Sequence, residues 1–229
     1  MYKNLFIDLD DTLWAFSENS KDTFYEVYIS HYLNRYFNSF THFYSLYHQE
    51  NERLWSDYSK GLIKKEDLNT RRFLYPLQAV GVNDEKLAKT YSDNYFAIVP
   101  TKKVLMPYAK EAIEYLHSKY RLFILSNGFR ELQSEKMISA GIYNYFNKII
   151  LSEDIWILKP HPEIFNFALS ATQSQLKESL MIGDSWEADI VGAKSISMDQ
   201  MYYNPSMKPV SDFTPTYVLN SWEEVSKIL

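Results

Sequence analysis

The sequence predicts a three-layer α/β protein, a parallel sheet covered by helices on both faces, with an all-helical module inserted after the first strand. Three observations predict it. An apolar run at the start, Leu5-Phe6-Ile7, reads as a buried strand. From Val104 onward, further short apolar runs alternate with helical patterns, as in a sheet whose strands are joined by crossover helices. Between about 15 and 100 the chain carries helical spacing and no strong strand signal, which makes a module of roughly 85 residues.

The first strand runs into Asp8-Leu9-Asp10-Asp11-Thr12, and period-two geometry points Asp8 and Asp10 to the same side. At the carboxyl edge of a parallel sheet they enter the crevice where open α/β proteins bind ligands, and a divalent cation would offset their repulsion. Within the module, Tyr25, Tyr28, Tyr32 and Tyr36 recur at helical spacing, and Phe40, Phe43, Tyr44 and Tyr47 continue the series. Aromatic-faced helices packed on each other are the expectation. Gly61 stops a helix that ends near Ser59, Lys65-Glu66-Asp67 opens the next, and Asn83-Asp84 restarts the chain after Gly81.

Beyond the module, Pro107 occupies the first turn of a helix to about Lys119, and a strand over 121–125 ends at Ser126-Asn127-Gly128. A helix from about Glu131, the apolar run Lys148-Ile149-Ile150-Leu151, a helix over 162–171 and the strand Leu180-Met181-Ile182 follow in turn. That strand ends at Gly183-Asp184-Ser185. A helix over about 187–194, late strands at Met201-Tyr202-Tyr203 and Tyr217-Val218-Leu219 with a Pro-containing loop between them, and a closing helix over 222–229 complete the chain.

Composition narrows the function classes. The 229 residues suffice for one large domain or a core carrying an insertion, and 46% hydrophobic with 23% charged residues excludes a mainly disordered chain. A net charge of -5 disfavours a nucleic acid polymer as partner but leaves a small charged ligand open. Cys is absent, which removes disulfides, thiolate metal sites and a Cys nucleophile. No apolar stretch approaches the length of a membrane span, so no membrane partner is expected. The start, one Lys and a short apolar run followed by acids, does not read as a signal peptide, and a cytoplasmic location is the expectation.

Polar residues gather at the strand ends: Asp8 and Asp10, Ser126 and Asn127, and Asp184 with Asp189 in the turn beyond it. Lys159, before Pro160, lies in the connection after another strand. Acids for a metal, a hydroxyl and an amide for phosphate oxygens, and one Lys make a phosphoryl-transfer set. Taken singly, each has a plainer reading. Asp-X-Asp is a turn, Lys159 a surface residue, Ser126-Asn127-Gly128 a strand-ending turn, and Asp184 a helix N-cap. Their recurrence at equivalent topological places favours the chemistry.

In this order and spacing, Asp8-Leu9-Asp10-Asp11-Thr12, Ser126-Asn127-Gly128, Lys159-Pro160 and Gly183-Asp184-Ser185 followed by Asp189 resemble the four signature motifs of the haloacid dehalogenase superfamily, in its phosphatase branch. The resemblance implies a Rossmann-like core over 1–14 and 102–229, and a helical cap over 15–101 with hinge linkers near its ends. It implies that Asp8 attacks phosphorus to form an aspartyl-phosphate, and that Asp10 protonates the leaving alcohol and then takes a proton from water. Mg2+ is the implied cofactor, held by the carboxylates of Asp8 and Asp184 and the backbone carbonyl of Asp10, with Asp189 acting from behind or through a ligating water. Ser126 and the backbone around Asn127 are implied at the transferring oxygens, Lys159 steadies the phosphoryl charge and Asp8, and Thr12 braces the loop beside the phosphate.

In the cap, Leu54-Trp55-Ser56-Asp57-Tyr58-Ser59-Lys60-Gly61 followed by Arg71-Arg72-Phe73 looks most like small-molecule phosphatases that include pyrimidine nucleotidases. The expected substrate is therefore a small phosphorylated metabolite, a nucleoside monophosphate first, acted on by a monomer or weak homodimer. Trp14 either lines the entrance or packs at the hinge. Arg71 and Arg72 are either solvated cap surface or contacts for an anionic substrate. The acid at Asp10 disfavours dehalogenation. A sugar-phosphate phosphatase or phosphomutase, a phosphonate hydrolase using Lys60, Lys64 or Lys65, and a non-catalytic binding protein of the same fold stay open.

Overall fold

The computed structural model describes residues 1–210 and 213–229; two positions of the Pro-containing loop, Ser211 and Asp212, lie outside the described residues. The chain divides into two compact units, Met1–Phe16 with Lys102–Leu229, and Ser17–Thr101. In the first, strands β1 (Asn4–Ile7), β2 (Arg121–Ser126), β3 (Lys148–Leu151), β4 (Ser179–Gly183), β5 (Asp199–Tyr203) and β6 (Tyr217–Leu219) form one sheet in the order β3-β2-β1-β4-β5-β6. Every neighbouring pair is parallel. The helices are α1 (Phe16–Ser30), α2 (Phe40–Ser59), α3 (Lys65–Ala79), α4 (Glu85–Ile98), α5 (Ala109–His117), α6 (Arg130–Ser139) and α7 (Pro162–Ala171), with shorter helical turns between them.

Alternation along the strands explains why they read as unbroken apolar runs. Phe6, Phe123 and Met181 stand in register on one face and join Leu125, Ile150, Ile164 and Phe165 in a fully buried cluster. Leu5, Ile7, Leu122, Ile124, Leu180 and Ile182 turn to the opposite face and are as deeply buried. Because β1 lies between β2 and β4, the connections leave it in opposite directions, and a crevice opens at its carboxyl end. Ile7 is level with both Ile124 and Ile182, so the residues after β1 emerge beside Ser126 and beside Gly183-Asp184. The two chain segments that bound the helical insert are tied together, Ala15 N–H donating to the Val104 carbonyl at 3.1 Å and Met106 N–H to that of Leu13 at 2.8 Å.

The helical unit is organised around Phe24, whose ring meets those of Phe43, Tyr47, Phe73 and Tyr95. Ser39 and Asp84 cap α2 and α4, accepting from His42 N–H at 3.1 Å and Leu87 N–H at 2.8 Å, and Gly61 takes a φ of 69° just past α2. The tyrosine series differs from expectation. Helix α1 ends at Ser30, Tyr32 has a φ of 54°, and Tyr25 and Tyr32 are 51% and 69% exposed. The stripe that packs is Phe24, Val27 and Tyr28, the same helix rotated by one position, because it brings the phenylalanine inward.

Two further elements depart from the sequence reading. The stretch expected as a helix over 187–194 begins as a wide π turn, Trp186–Val191, and becomes α-helical only at Gly192–Ser195. The closing helix is a 3-10 turn, Trp222–Glu224, continued by Val225–Ile228. Among the described residues, no helix is long and apolar enough to cross a membrane.

Candidate active site

A buried lysine ties three segments of chain together. Lys159, 3% exposed, directs its ammonium at Asp8 Oδ1 (2.6 Å), Asp189 Oδ1 (2.6 Å) and the Leu125 carbonyl (2.7 Å), one acceptor for each of its three hydrogens. Burial works against its charge, but the carboxylates of Asp189 and Asp8 outweigh that and hold its pKa above the ordinary lysine value. Its main chain is fixed as firmly. The Asn127 side-chain amide accepts from Lys159 N–H at 2.8 Å and donates to the Lys159 carbonyl at 2.9 Å, beside a cis peptide bond to Pro160.

Asp8, Asp184 and Asp189 bring carboxylate oxygens within 4.8 Å of one another. Burial pushes the Asp8 carboxyl well above the usual range; Lys159 opposes the rise, and Asp189 and Asp184 add to it. Asp184 is pushed up to about 7, by burial first and by Asp189 second. Such crowding of hard oxygen donors fits Mg2+, which carboxylates hold and whose charge would relieve the repulsion between them. Thr12 locks Asp184 in place from both sides, its hydroxyl donating to Asp184 Oδ1 at 2.8 Å and accepting from Asp184 N–H at 3.0 Å. Asp189 sits in the π turn with its second oxygen accepting from Ser185 N–H at 3.1 Å, and a Cβ added at Gly183 would fall 2.2 Å from that oxygen. The glycine is required by the carboxylate.

Asp10 has different company. Strand β1 ends at Ile7, so strand alternation does not extend to Asp10, which lies in the following turn with only an isolated bridge to Trp14. Its Oδ1 accepts from Lys136 Nζ at 2.7 Å and its Oδ2 from Gln133 Nε2 at 3.1 Å. The same Gln133 nitrogen donates to Ser126 Oγ at 2.7 Å, and Gly128 N–H donates to that oxygen at 3.0 Å. Both acceptor positions of the Ser126 hydroxyl are thereby filled, and its hydrogen is left to donate.

The model of the haloacid dehalogenase-like hydrolase family matches residues 2–196. The chain belongs to this family. Among curated relatives of these hydrolases, it is 27% identical over 227 residues to pyrimidine 5'-nucleotidase YjjG of Escherichia coli K12, covering 98% of this chain and 96% of the relative. It is also 27% identical over 228 residues to pyrimidine 5'-nucleotidase PynA of Streptococcus pneumoniae, covering 98% and 93%. The crystal structure of the HAD-hydrolase YfnB from Bacillus subtilis, bound to magnesium, superposes with a TM-score of 0.88 at 26% identity, over 100% of this chain and 98% of that one.

In this haloacid dehalogenase-like hydrolase, Asp8, Lys159, Asp184 and Asp189 meet at the strand ends, and Ser126 is joined to Asp10 through Gln133. Four other residues are placed by their contacts, and one of them, Arg72, departs from its reading. The Asn127 side chain is committed to the Lys159 backbone and the Thr12 hydroxyl to Asp184, so both act as braces. Trp14 is fully buried, its indole N–H donating to the Lys102 carbonyl at 3.2 Å, where the chain returns from the insert. Arg72 corrects the expectation of solvated surface: it is 4% exposed within the helical unit, hydrogen-bonded to Asn69 and Asn51 and lying over the rings of Phe73 and Phe96. Arg71, its neighbour, is exposed. Gln133 and Lys136 were missed by the sequence reading, and their only signal was i, i+3 spacing on the helix after Ser126-Asn127-Gly128.

Proposed function

We propose that this hydrolase is a Mg2+-dependent phosphomonoesterase that acts on a small phosphate ester, a nucleoside monophosphate before others, with the helical unit as its cap. The observation that carries the reading is the separation of two carboxylates only two residues apart. Asp8 is bound to the buried Lys159 ammonium beside Asp184 and Asp189, whereas Asp10 is held by Lys136 and Gln133. Paired carboxylates in unlike surroundings suit a nucleophile and an acid/base.

Asp8 attacks phosphorus, forming a carboxyl oxygen to phosphorus bond as the ester bond from phosphorus to the alcohol oxygen breaks. The leaving oxygen keeps the bond's electron pair and takes a proton from Asp10. Water then attacks phosphorus, Asp10 receives a proton from it, and inorganic phosphate departs as Asp8 regains its carboxylate. Asp8 and Asp184, with the Asp10 carbonyl, would hold Mg2+, whose charge supplies attraction for the phosphate and screens it from the acids. The Ser126 hydroxyl donates to a phosphoryl oxygen. Lys159 holds Asp8 in line and draws the phosphoryl charge.

The preference for nucleotides rests on the two pyrimidine 5'-nucleotidases that match over nearly the whole chain. A panel of phosphate esters assayed for inorganic phosphate, with Mg2+ and with chelator, tests it. Release is expected with Mg2+ alone, nucleoside monophosphates ranking above sugar phosphates in kcat/KM, and Asp8→Asn is expected to fall to background. An enzyme silent on every ester, or an active Asp8→Asn, would refute the reading.

A further inference from the structure

We infer that Lys136 and Gln133 are positioning residues that hold the Asp10 carboxylate for proton transfer to the leaving group; the inference rests on the phosphatase reading above. Lysine is almost never fully buried unless paired, and the Lys136 side chain is 3% exposed. Its ammonium is 2.7 Å from Asp10 Oδ1 and lies over the rings of Trp14 and Phe16, 4.7 and 5.3 Å from their centroids. Two aromatic faces and one carboxylate therefore confine the cation, and cation–π attraction replaces part of the water it has lost.

Gln133 supplies the second hold. It is fully buried, its Nε2 reaches both Asp10 and Ser126, and its Oε1 has no hydrogen-bond partner among the described residues. A buried amide that strands its acceptor has its orientation set by the two bonds its nitrogen makes, because turning over would lose both. Gly128 leaves the space this requires: a Cβ there would sit 2.1 Å from Gln133 Nε2. Each oxygen of Asp10 thus has one donor of its own, which fixes rotation of the carboxylate about its last bond. The side chain is still 26% exposed, so it remains open to a reactant.

The two holds come from one face of α6, a helix that follows the Ser126-Asn127-Gly128 turn. The hydroxyl assigned to the phosphoryl oxygens and the carboxyl assigned to the leaving oxygen are therefore aligned by a single rigid element. A group that positions the proton donor matters where the leaving oxygen needs a proton, and little where it does not. Bond breaking with the alkyl esters demands that proton; p-nitrophenolate leaves without it.

The test is kcat/KM for an alkyl phosphate and for p-nitrophenyl phosphate with Mg2+ present, in the unaltered enzyme, Lys136→Met, Lys136→Arg and Gln133→Leu. General acid catalysis is worth about 10²–10⁴-fold, so Lys136→Met is expected to lose on the order of 100-fold on the alkyl ester and less than about 10-fold on the aryl ester. Lys136→Arg is expected to recover most of the difference, and Gln133→Leu to show the same discrimination, more weakly, should Lys136→Met not fold. Equal losses on both esters, or no loss on the alkyl ester, would overturn the inference while leaving the phosphatase standing. An unaltered enzyme silent on both esters and on the rest of the panel overturns the phosphatase reading, and the inference falls with it.

Discussion

Removing the divalent cation from the protein should make its stability depend on pH in a direction that is unusual for carboxylates. Asp184 rises from its ordinary 3.8 to about 7, because burial and Asp189 disfavour its charge. An acid whose folded pKa lies above its unfolded value binds more protons when folded, so stability is greatest below the unfolded pKa and falls as pH rises towards the folded one. At 1.36 kcal/mol per pKa unit the whole interval is worth about 4 kcal/mol, of which about 3 kcal/mol lies between pH 5 and pH 8. For a chain of this size that lowers Tm by roughly 6–12 °C over that range. Mg2+ is expected to offset most of this loss. At about 100 times its Kd it adds about 2.7 kcal/mol, or roughly 5–11 °C, and it does so more strongly at pH 8 than at pH 5, where protons compete for the same oxygens. The assay is a calorimetric melt at both pH values, with Mg2+ and with chelator, in the unaltered protein and in Asp184→Asn. Asp184→Asn should flatten the pH dependence and abolish most of the Mg2+ shift. A Mg2+ shift equal at the two pH values, or a pH dependence identical in Asp184→Asn, would refute the reasoning that crowded carboxylates await a cation here.

Two other perturbations probe the same buried web. Lys159→Met leaves Asp8 and Asp189 without their shared ammonium, and breaking such a buried pair costs about 3–5 kcal/mol, read as a Tm lower by roughly 6–20 °C. Gly183→Ala drives a methyl to 2.2 Å from Asp189 Oδ2 and 2.6 Å from its Cβ, which the short side chain cannot escape. Overpacking together with a lost charge-assisted hydrogen bond amounts to about 2–6 kcal/mol in a circular-dichroism melt. Gly61→Ala is the control: its added carbon meets nothing within 4 Å, and only the φ of 69° is strained, worth about 1–2 kcal/mol.

The strands, the long helices and the strand-end motifs were legible in the sequence, since each rests on local signals. Apolar runs mark strands buried on both faces, as at Leu180-Met181-Ile182, and capping residues such as Asp84 mark helix starts. The topology of a parallel sheet then obliges Asp8, Ser126 and Asp184 to share one edge, and the family match over residues 2–196 agrees with that order of motifs.

What the tertiary structure alone decided is which partner each polar group meets. Arg72, read as solvated surface beside Arg71, is buried among Asn51, Asn69 and two phenylalanine rings, because one position of rotation around α3 separates solvent from core. Asp8 and Asp10, alike in type and two residues apart, part company at the end of β1, one to Lys159 and the other to Lys136. The chain separations are 151 and 126 residues. Periodicity reports the neighbours of a residue along its own element, and contacts at such distances are set by how the elements pack.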